Sequence, residues 1–93
     1  MLDMEKIVKE IIVRNSQGLH ARPAAMIVQI ASKYAADVTL QKGDEKVNGK
    51  SIMGILTLGV QCNSTIIIEA NGEDAKEVVQ EIENLLSKET VDE

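Results

Sequence analysis

The spacing of apolar residues changes along this 93-residue chain, and the order of those changes is what most constrains its fold. Isoleucine and valine are dense over residues 7–13, which is typical of a strand. The turn-favouring residues 15–18 end that strand. Helical spacing then follows over residues 21–34 and predicts an amphipathic helix. The apolar face of this helix consists of Ala24, Ile27, Val28, Ala31, Tyr34 and Ala35.

The period returns to two after Ala36, where Val38 and Leu40 alternate with polar residues and predict a half-exposed strand. A turn at residues 43–44 leads into a short return strand around residues 46–47. Ser51 is a suitable N-cap for a short helix over residues 51–58, because its hydroxyl can accept a first-turn N–H. Gly59 ends this helix.

The last third of the chain contains one more strand and the clearest amphipathic helix. The strand covers residues 65–70, with Ile66, Ile68 and Ala70 on one face. The helix covers residues 73–87, and its acidic residues are expected on the solvated side. Its apolar stripe consists of Ala75, Val78, Val79, Ile82, Leu85 and Leu86.

The resulting order, βαββαβα, predicts a single α/β (α+β) domain over residues 1–93. We expect an open-faced β-sandwich, in which three helices cover one face of a four-stranded antiparallel sheet. The core must be aliphatic, because Tyr34 is the only aromatic residue. The facing of the first strand stays open, since Lys9 shares the alternation of Ile7 and Ile11.

Composition argues against several classes of function. The net charge of -5 and the single aromatic residue argue against direct binding of nucleic acid. No apolar stretch approaches the length of about 20 residues that a membrane-spanning helix needs, and residues 1–9 do not resemble a signal peptide. Cys62 has no second cysteine with which to form a disulfide, so we expect a cytoplasmic protein. No metal site or cofactor is expected, because His20 has no second ligand at a suitable spacing.

Residues 18–24, Gly-Leu-His-Ala-Arg-Pro-Ala, contain the chemistry-bearing part of the chain. They place the only histidine, His20, at the junction between a loop and a helix N-terminus. Unpaired N–H groups and the positive end of the helix dipole make such a position favourable for an anion. Arg22 can add a planar set of donors to a phosphate, and Pro23 is tolerated in the first helical turn. The alternative is that His20 is only a helix cap or a surface residue.

Two segments resemble those of a known family. Residues 18–24 resemble the active-site signature of HPr, the histidine-containing phosphocarrier of the bacterial phosphoenolpyruvate-dependent sugar phosphotransferase system. Residues 48–54, Asn-Gly-Lys-Ser-Ile-Met-Gly, resemble the regulatory-serine signature of the same family. Their separation and the element order also match, so the resemblance extends from about residue 5 to the last helix. Cys62 departs from the pattern, as do about four extra residues at the start and the tail 88–93, to which no role is assigned.

This resemblance implies a role for each matching residue. His20 would be the phosphohistidine, through its Nδ1 nitrogen, and Arg22 would stabilise the phosphate. Ser51 would be phosphorylated by a bifunctional serine kinase/phosphorylase, as in low-GC Gram-positive bacteria. Enzyme I and the sugar-specific enzyme IIA components would dock on an apolar surface around His20. The candidate docking residues are Ala25, Met26, Ile52, Met53 and Leu56.

Two other functions stay open at this point. The chain could act mainly as a regulatory binding module, in which Ser51-phosphorylated protein is a corepressor of a catabolite-control transcription regulator. The presence of His20 favours a phosphoryl carrier that also regulates. Such a carrier is not itself an enzyme. The third possibility is a generic α/β interaction domain in which the histidine has no role.

Overall fold

The computed structural model describes residues 5–89, which form a four-stranded antiparallel sheet with three helices on one face. This confirms the predicted open-faced sandwich and the order βαββαβα. The predicted N-terminal extra residues and the end of the tail fall at 1–4 and 90–93, outside the described residues. The elements are β1 (Lys6–Ile12), α1 (Ala21–Ser32), β2 (Asp37–Lys42), β3 (Glu45–Asn48), α2 (Ile52–Thr57), β4 (Thr65–Asn71) and α3 (Ala75–Leu86).

The strands lie in the order β1-β4-β2-β3, so the last strand of the sequence is inserted between the first two. Both of its neighbours run antiparallel to it, and Ile68 lies opposite Lys9 of β1 and Leu40 of β2. Since side chains alternate along a strand, Ile66, Ile68 and Ala70 all face the helices and are buried, as predicted.

The helices close an aliphatic core over this face of the sheet. All six residues of the predicted α3 stripe are buried, which confirms the periodicity argument. In α1 the buried residues are Pro23, Ala24, Ile27 and Ala31. Ala35 was predicted on the same face but is exposed, because α1 ends at Ser32 and the chain turns away before it.

The open question about β1 is decided by an ion pair. Lys9 Nζ lies 2.7 Å from Glu83 Oε1 of α3, which places Lys9 on the helix-covered face together with Ile11. The aliphatic stem of the lysine crosses the edge of the core while its ammonium group reaches the surface. Val8 and Ile12, on the opposite side of the strand, are exposed on the open face of the sheet.

Two acidic residues of the last helical segment, Asp74 and Glu81, accept hydrogen bonds that the sequence does not predict. The Asp74 carboxylate accepts hydrogen bonds from the N–H groups of Ala35 and Ala36, each at 3.0 Å. Glu81 accepts from the Tyr34 hydroxyl and from Lys33 Nζ. The hydrogen bond to Glu81 is the main reason that the pKa of Tyr34 is raised to about 12, and the same bond lowers the pKa of Glu81. These contacts join α3 to the C-terminal end of α1.

Candidate functional site

His20 is the N-cap residue of α1 and has an extended backbone conformation, with φ -88° and ψ -166°. Its carbonyl oxygen accepts the first intrahelical hydrogen bond from the N–H of Ala24, at 3.0 Å. Its side chain is exposed and makes no capping hydrogen bond within residues 5–89. His20 therefore caps α1 through its backbone alone, and its imidazole is exposed; this geometry does not decide between a phosphate-carrying residue and a cap or surface residue without such a role.

The first turn of α1 surrounds that imidazole with features that favour an anion. The N–H groups of a first turn lie outside the intrahelical ladder, and the helix dipole adds partial positive charge there. Pro23 has no N–H to leave unsatisfied, and its ring is buried against the core. Arg22 belongs to the same turn and has an exposed side chain, so it adds a positive charge to the first turn of the helix.

The loop before His20 is pressed against the segment that follows α2. Gly18 has φ +70°, and a Cβ atom at this position would lie 2.3 Å from the carbonyl oxygen of Val60. Glycine is therefore required both for the backbone conformation and for the close approach. The next residue, Leu19, is buried and donates its N–H to the same Val60 oxygen at 2.9 Å. These two contacts hold the loop immediately before the histidine.

Asn15, at the start of this loop, is a residue whose position sequence analysis did not anticipate. The local sequence predicts only a turn here, but the Asn15 side chain is 2% exposed and donates from Nδ2 to Lys88 O at 2.8 Å and to Leu85 O at 3.3 Å. Leu85 and Lys88, which supply these acceptors, lie 70 and 73 positions after Asn15 in the chain. An asparagine next to turn residues contains no local signal of such contacts.

The second sequence segment also lies at a helix start. Ser51 is the N-cap of α2, and its Oγ accepts a hydrogen bond from the N–H of Gly54 at 3.0 Å, as predicted. Ile52 and Met53, the next two residues, are 40% and 70% exposed. Since α2 packs beside α1, this exposed apolar pair belongs to the same helical layer as His20.

The other three candidate docking residues are less accessible. Ala25, Met26 and Leu56 are half-buried. Met26 and Leu56 also pack against the core, so only part of each side chain is available to a partner. The most exposed part of the predicted docking surface is therefore Ile52 and Met53.

Other sequence features show no site within residues 5–89. Cys62 is a half-buried free thiol whose Sγ lies 3.9 Å from the carbonyl oxygen of Arg14. No group of three or more His, Cys, Asp or Glu side chains in this range could hold a metal ion. The described helices are all too short or too polar to cross a membrane.

Comparison with known families agrees with this geometry. The family model for the phosphorylation site of the HPr component of the phosphotransferase system (PTS) matches residues 7–88, which is most of the chain. The chain belongs to the HPr family. The matched range contains His20, Arg22 and Ser51, and it also contains every helix and nearly every strand residue described above.

Solved structures of this family have the same fold. The chain is similar to phosphocarrier protein HPr from Bacillus anthracis, with 38% identity, a TM-score of 0.84, and coverage of 87% of this chain and 96% of the other. A Thermoanaerobacter tengcongensis HPr is 40% identical, with a TM-score of 0.80 and coverages of 89% and 91%. Crh, the catabolite repression HPr of Bacillus subtilis, is 38% identical, with a TM-score of 0.68 and coverages of 90% and 100%.

Membership of the HPr family places the chain among the phosphocarriers of the PTS rather than among its catalysts. A carrier of this kind works between other components of the system, which in general include enzyme I and enzyme IIA. The similarity to Crh connects the same fold with carbon catabolite repression.

Proposed function

We propose that this chain accepts a phosphoryl group on Nδ1 of His20 from phosphorylated enzyme I and passes it to sugar-specific enzyme IIA components. Enzyme I would itself be charged from phosphoenolpyruvate, so the carrier would act in the cytoplasm. The observation that supports this most is the exposed imidazole at the N-cap of α1, which makes no capping hydrogen bond within the described chain.

The proposed step requires little chemistry from the carrier itself. An imidazole nitrogen of His20 attacks the phosphorus, and the bond to the donor breaks as the new P–N bond forms. The negative charge on the transferred group is stabilised by the first-turn N–H groups of α1 and by the Arg22 guanidinium. The helix start that supplies these N–H groups is formed without a phosphate, so the backbone part of the site is preorganised.

The test is to incubate the protein with enzyme I and labelled phosphoenolpyruvate. We expect an adduct that is labile in acid and stable in base, and we expect His20→Ala to remain unlabelled. Arg22→Ala should be labelled more slowly by up to roughly a hundredfold, the lower end of the cost of losing one positioned donor group, because Arg22 is exposed. Lys76→Ala is the matched control, because it removes one positive charge from α3 near the other end of α1. Equal labelling of His20→Ala and wild type would refute the proposal.

We also propose that partners dock on the apolar surface formed by Ala25, Met26, Ile52, Met53 and Leu56. Flexible methionine side chains suit repeated, transient contact with different partners. With Met53→Ala as the phosphoryl acceptor, enzyme I should show a higher KM for the carrier and a nearly unchanged kcat. The substitution removes binding area without touching His20. Val8→Ala, which truncates an exposed residue on the open face of the sheet, is the control. An unchanged KM for Met53→Ala would exclude this surface.

The same surface provides a means of regulation at Ser51. Phosphorylation by a serine kinase/phosphorylase would add roughly -1.5 to -2 charges directly before the exposed pair Ile52 and Met53. A charged group at this place is costly to desolvate against an apolar partner. We therefore expect Ser51 phosphorylation to slow transfer from enzyme I mainly through the KM. Phosphorylated protein with an unchanged KM would contradict this mechanism.

A second candidate function is a regulatory module whose Ser51-phosphorylated form binds a catabolite-control transcription regulator. It is supported by the similarity to Crh. ATP-dependent labelling of wild type by the kinase, with none on Ser51→Ala, followed by binding to the regulator would support this role. Labelling of His20 by enzyme I without any kinase labelling of Ser51 would leave the carrier function alone.

A further inference from the structure

We infer that Asn15 is a positioning residue for His20, because its buried carboxamide fastens the histidine-bearing loop to the C-terminal end of α3. The inference rests on the proposed carrier function and adds a residue to it. Asn15 does not touch the reacting atoms, and its effect on transfer acts through the backbone of residues 15–20.

The first part of the argument is the contact with α3. The last carbonyl oxygens of a helix have no intrahelical donors. Here the three successive residues Arg14, Asn15 and Ser16 donate hydrogen bonds to carbonyl oxygens at and just after the C-terminal end of α3. Arg14 N–H donates to Leu86 O at 2.8 Å, and Ser16 N–H donates to Glu89 O at 2.7 Å. Between them, Asn15 Nδ2 bridges the carbonyl oxygens of residues 85 and 88.

The second part is the path from Asn15 to His20. The carbonyl oxygen of Asn15 accepts the N–H of Gly18 at 2.9 Å, which closes a four-residue turn. Gly18 and Leu19 then contact Val60 from the other side of the loop. The loop is thus held between the end of α3 and the segment after α2. His20 follows directly, and its extended N-cap conformation continues from this turn.

The third part is the energetic oddity of the residue. Asn15 is a polar residue that is buried among the apolar residues of the described core. Its Oδ1 has no hydrogen-bond partner among residues 5–89. A buried unpaired acceptor is costly, so an apolar side chain of similar size would avoid that cost. The amide is therefore useful here for its two Nδ2 donors, which an apolar residue cannot supply. Both of these hydrogen bonds join the start of the loop to the end of α3, so what the asparagine contributes is the attachment of the loop.

The test compares phosphoryl transfer from enzyme I to Asn15→Leu, to wild type and to Tyr34→Phe. All three are assayed at a temperature at which circular dichroism shows them to be folded. Tyr34→Phe is the control because it removes a hydrogen bond between the end of α1 and α3, away from His20. We expect Asn15→Leu to lower kcat for transfer from phosphorylated enzyme I by roughly tenfold to hundredfold, since small misplacements of a reacting group have effects of this size. The KM should stay unchanged, because Ile52 and Met53 are untouched.

A second measurement reports on the loop without phosphorylation. Hydrogen exchange of the Gly18 and Leu19 amides should be faster in Asn15→Leu by about tenfold or more, relative to amides of β4, and not in Tyr34→Phe. If Asn15→Leu does not fold, Asn15→Ala replaces it, since it removes the donors without adding bulk.

The outcomes separate this inference from the proposed function. Unchanged kcat and unchanged exchange in the Asn15 variant overturn the inference, and so does a loss of kcat that Tyr34→Phe shares. If wild type itself accepts no phosphate from enzyme I, the proposed function fails. Faster exchange of Gly18 and Leu19 in the Asn15 variant would in that case still support its hold on the His20 loop.

Discussion

Gly18 is the position where a single methyl group should do the most damage to the His20 loop. In Gly18→Ala, the new Cβ would lie 2.3 Å from Val60 O and 2.8 Å from Gln61 Cα, both of them backbone atoms. Neither can rotate away, so the two segments must separate. The φ of +70° adds a second cost, because L-residues pay about 1 kcal/mol or more in this region.

The size of the effect follows from these two terms. Separation of the segments breaks the 2.9 Å hydrogen bond from Leu19 N–H to Val60 O, which contributes about 1 kcal/mol. With the backbone strain, the free energy of unfolding should fall by about 2–3 kcal/mol. For a domain of this size, that corresponds to a decrease in Tm of about 10–20 °C.

Gly59→Ala is a matched control, since Gly59 has φ +62° and no atom lies within 4 Å of a Cβ built on it. It should cost only the backbone term, about 1 kcal/mol. Urea unfolding followed by circular dichroism measures both variants. If Gly18→Ala costs no more than Gly59→Ala, the close contact with Val60 is not what holds the loop, and the steric argument is refuted.

Three further predictions concern residues outside this loop. The tyrosinate absorbance of wild type should titrate at about pH 12 and return toward 10 in Glu81→Gln, since Tyr34 is the only aromatic residue and Glu81 is the main cause of its raised pKa; an unchanged midpoint would contradict the hydrogen bond. Because the pKa of Glu81 is lowered in the folded state, its contribution to stability is present above about pH 4.5 and is lost as the pH falls through the folded value. Unfolding curves of Glu81→Gln should therefore depend less on pH in this acidic range than those of wild type. Ser51→Ala should lose about 1 kcal/mol of unfolding free energy through the missing cap to Gly54, whereas Ser51→Asp should retain most of it; equal losses would argue against the cap.

Much of the fold follows from local patterns in the sequence. The α3 stripe is buried as the helical period predicts, and the alternation of β4 correctly identifies its inward residues. Boundaries differ by one to two residues, as at α1, which ends at Ser32 rather than at Tyr34. The periodic pattern continues past that end because Tyr34 packs against the core from a non-helical backbone. Local periodicity cannot distinguish these two situations.

Some features of the candidate site likewise follow from the local sequence, and others do not. The position of His20 at a helix start and the cap at Ser51 depend on neighbouring residues, and both were predicted. The docking residues are harder, because the exposure of a residue such as Leu56 depends on what packs against its helix. Asn15 was missed for the same reason.

By itself, the sequence determined the type and order of the elements and the coincidence of His20, Arg22 and Pro23 in one helical turn. Those properties depend on backbone preferences and side-chain spacing over a few residues. The tertiary structure decided the central place of β4, the pairing of Lys9 with Glu83 and the contact of Asn15 with the end of α3. Each of these joins residues far apart in the chain, and such contacts are selected by the packing of the whole core.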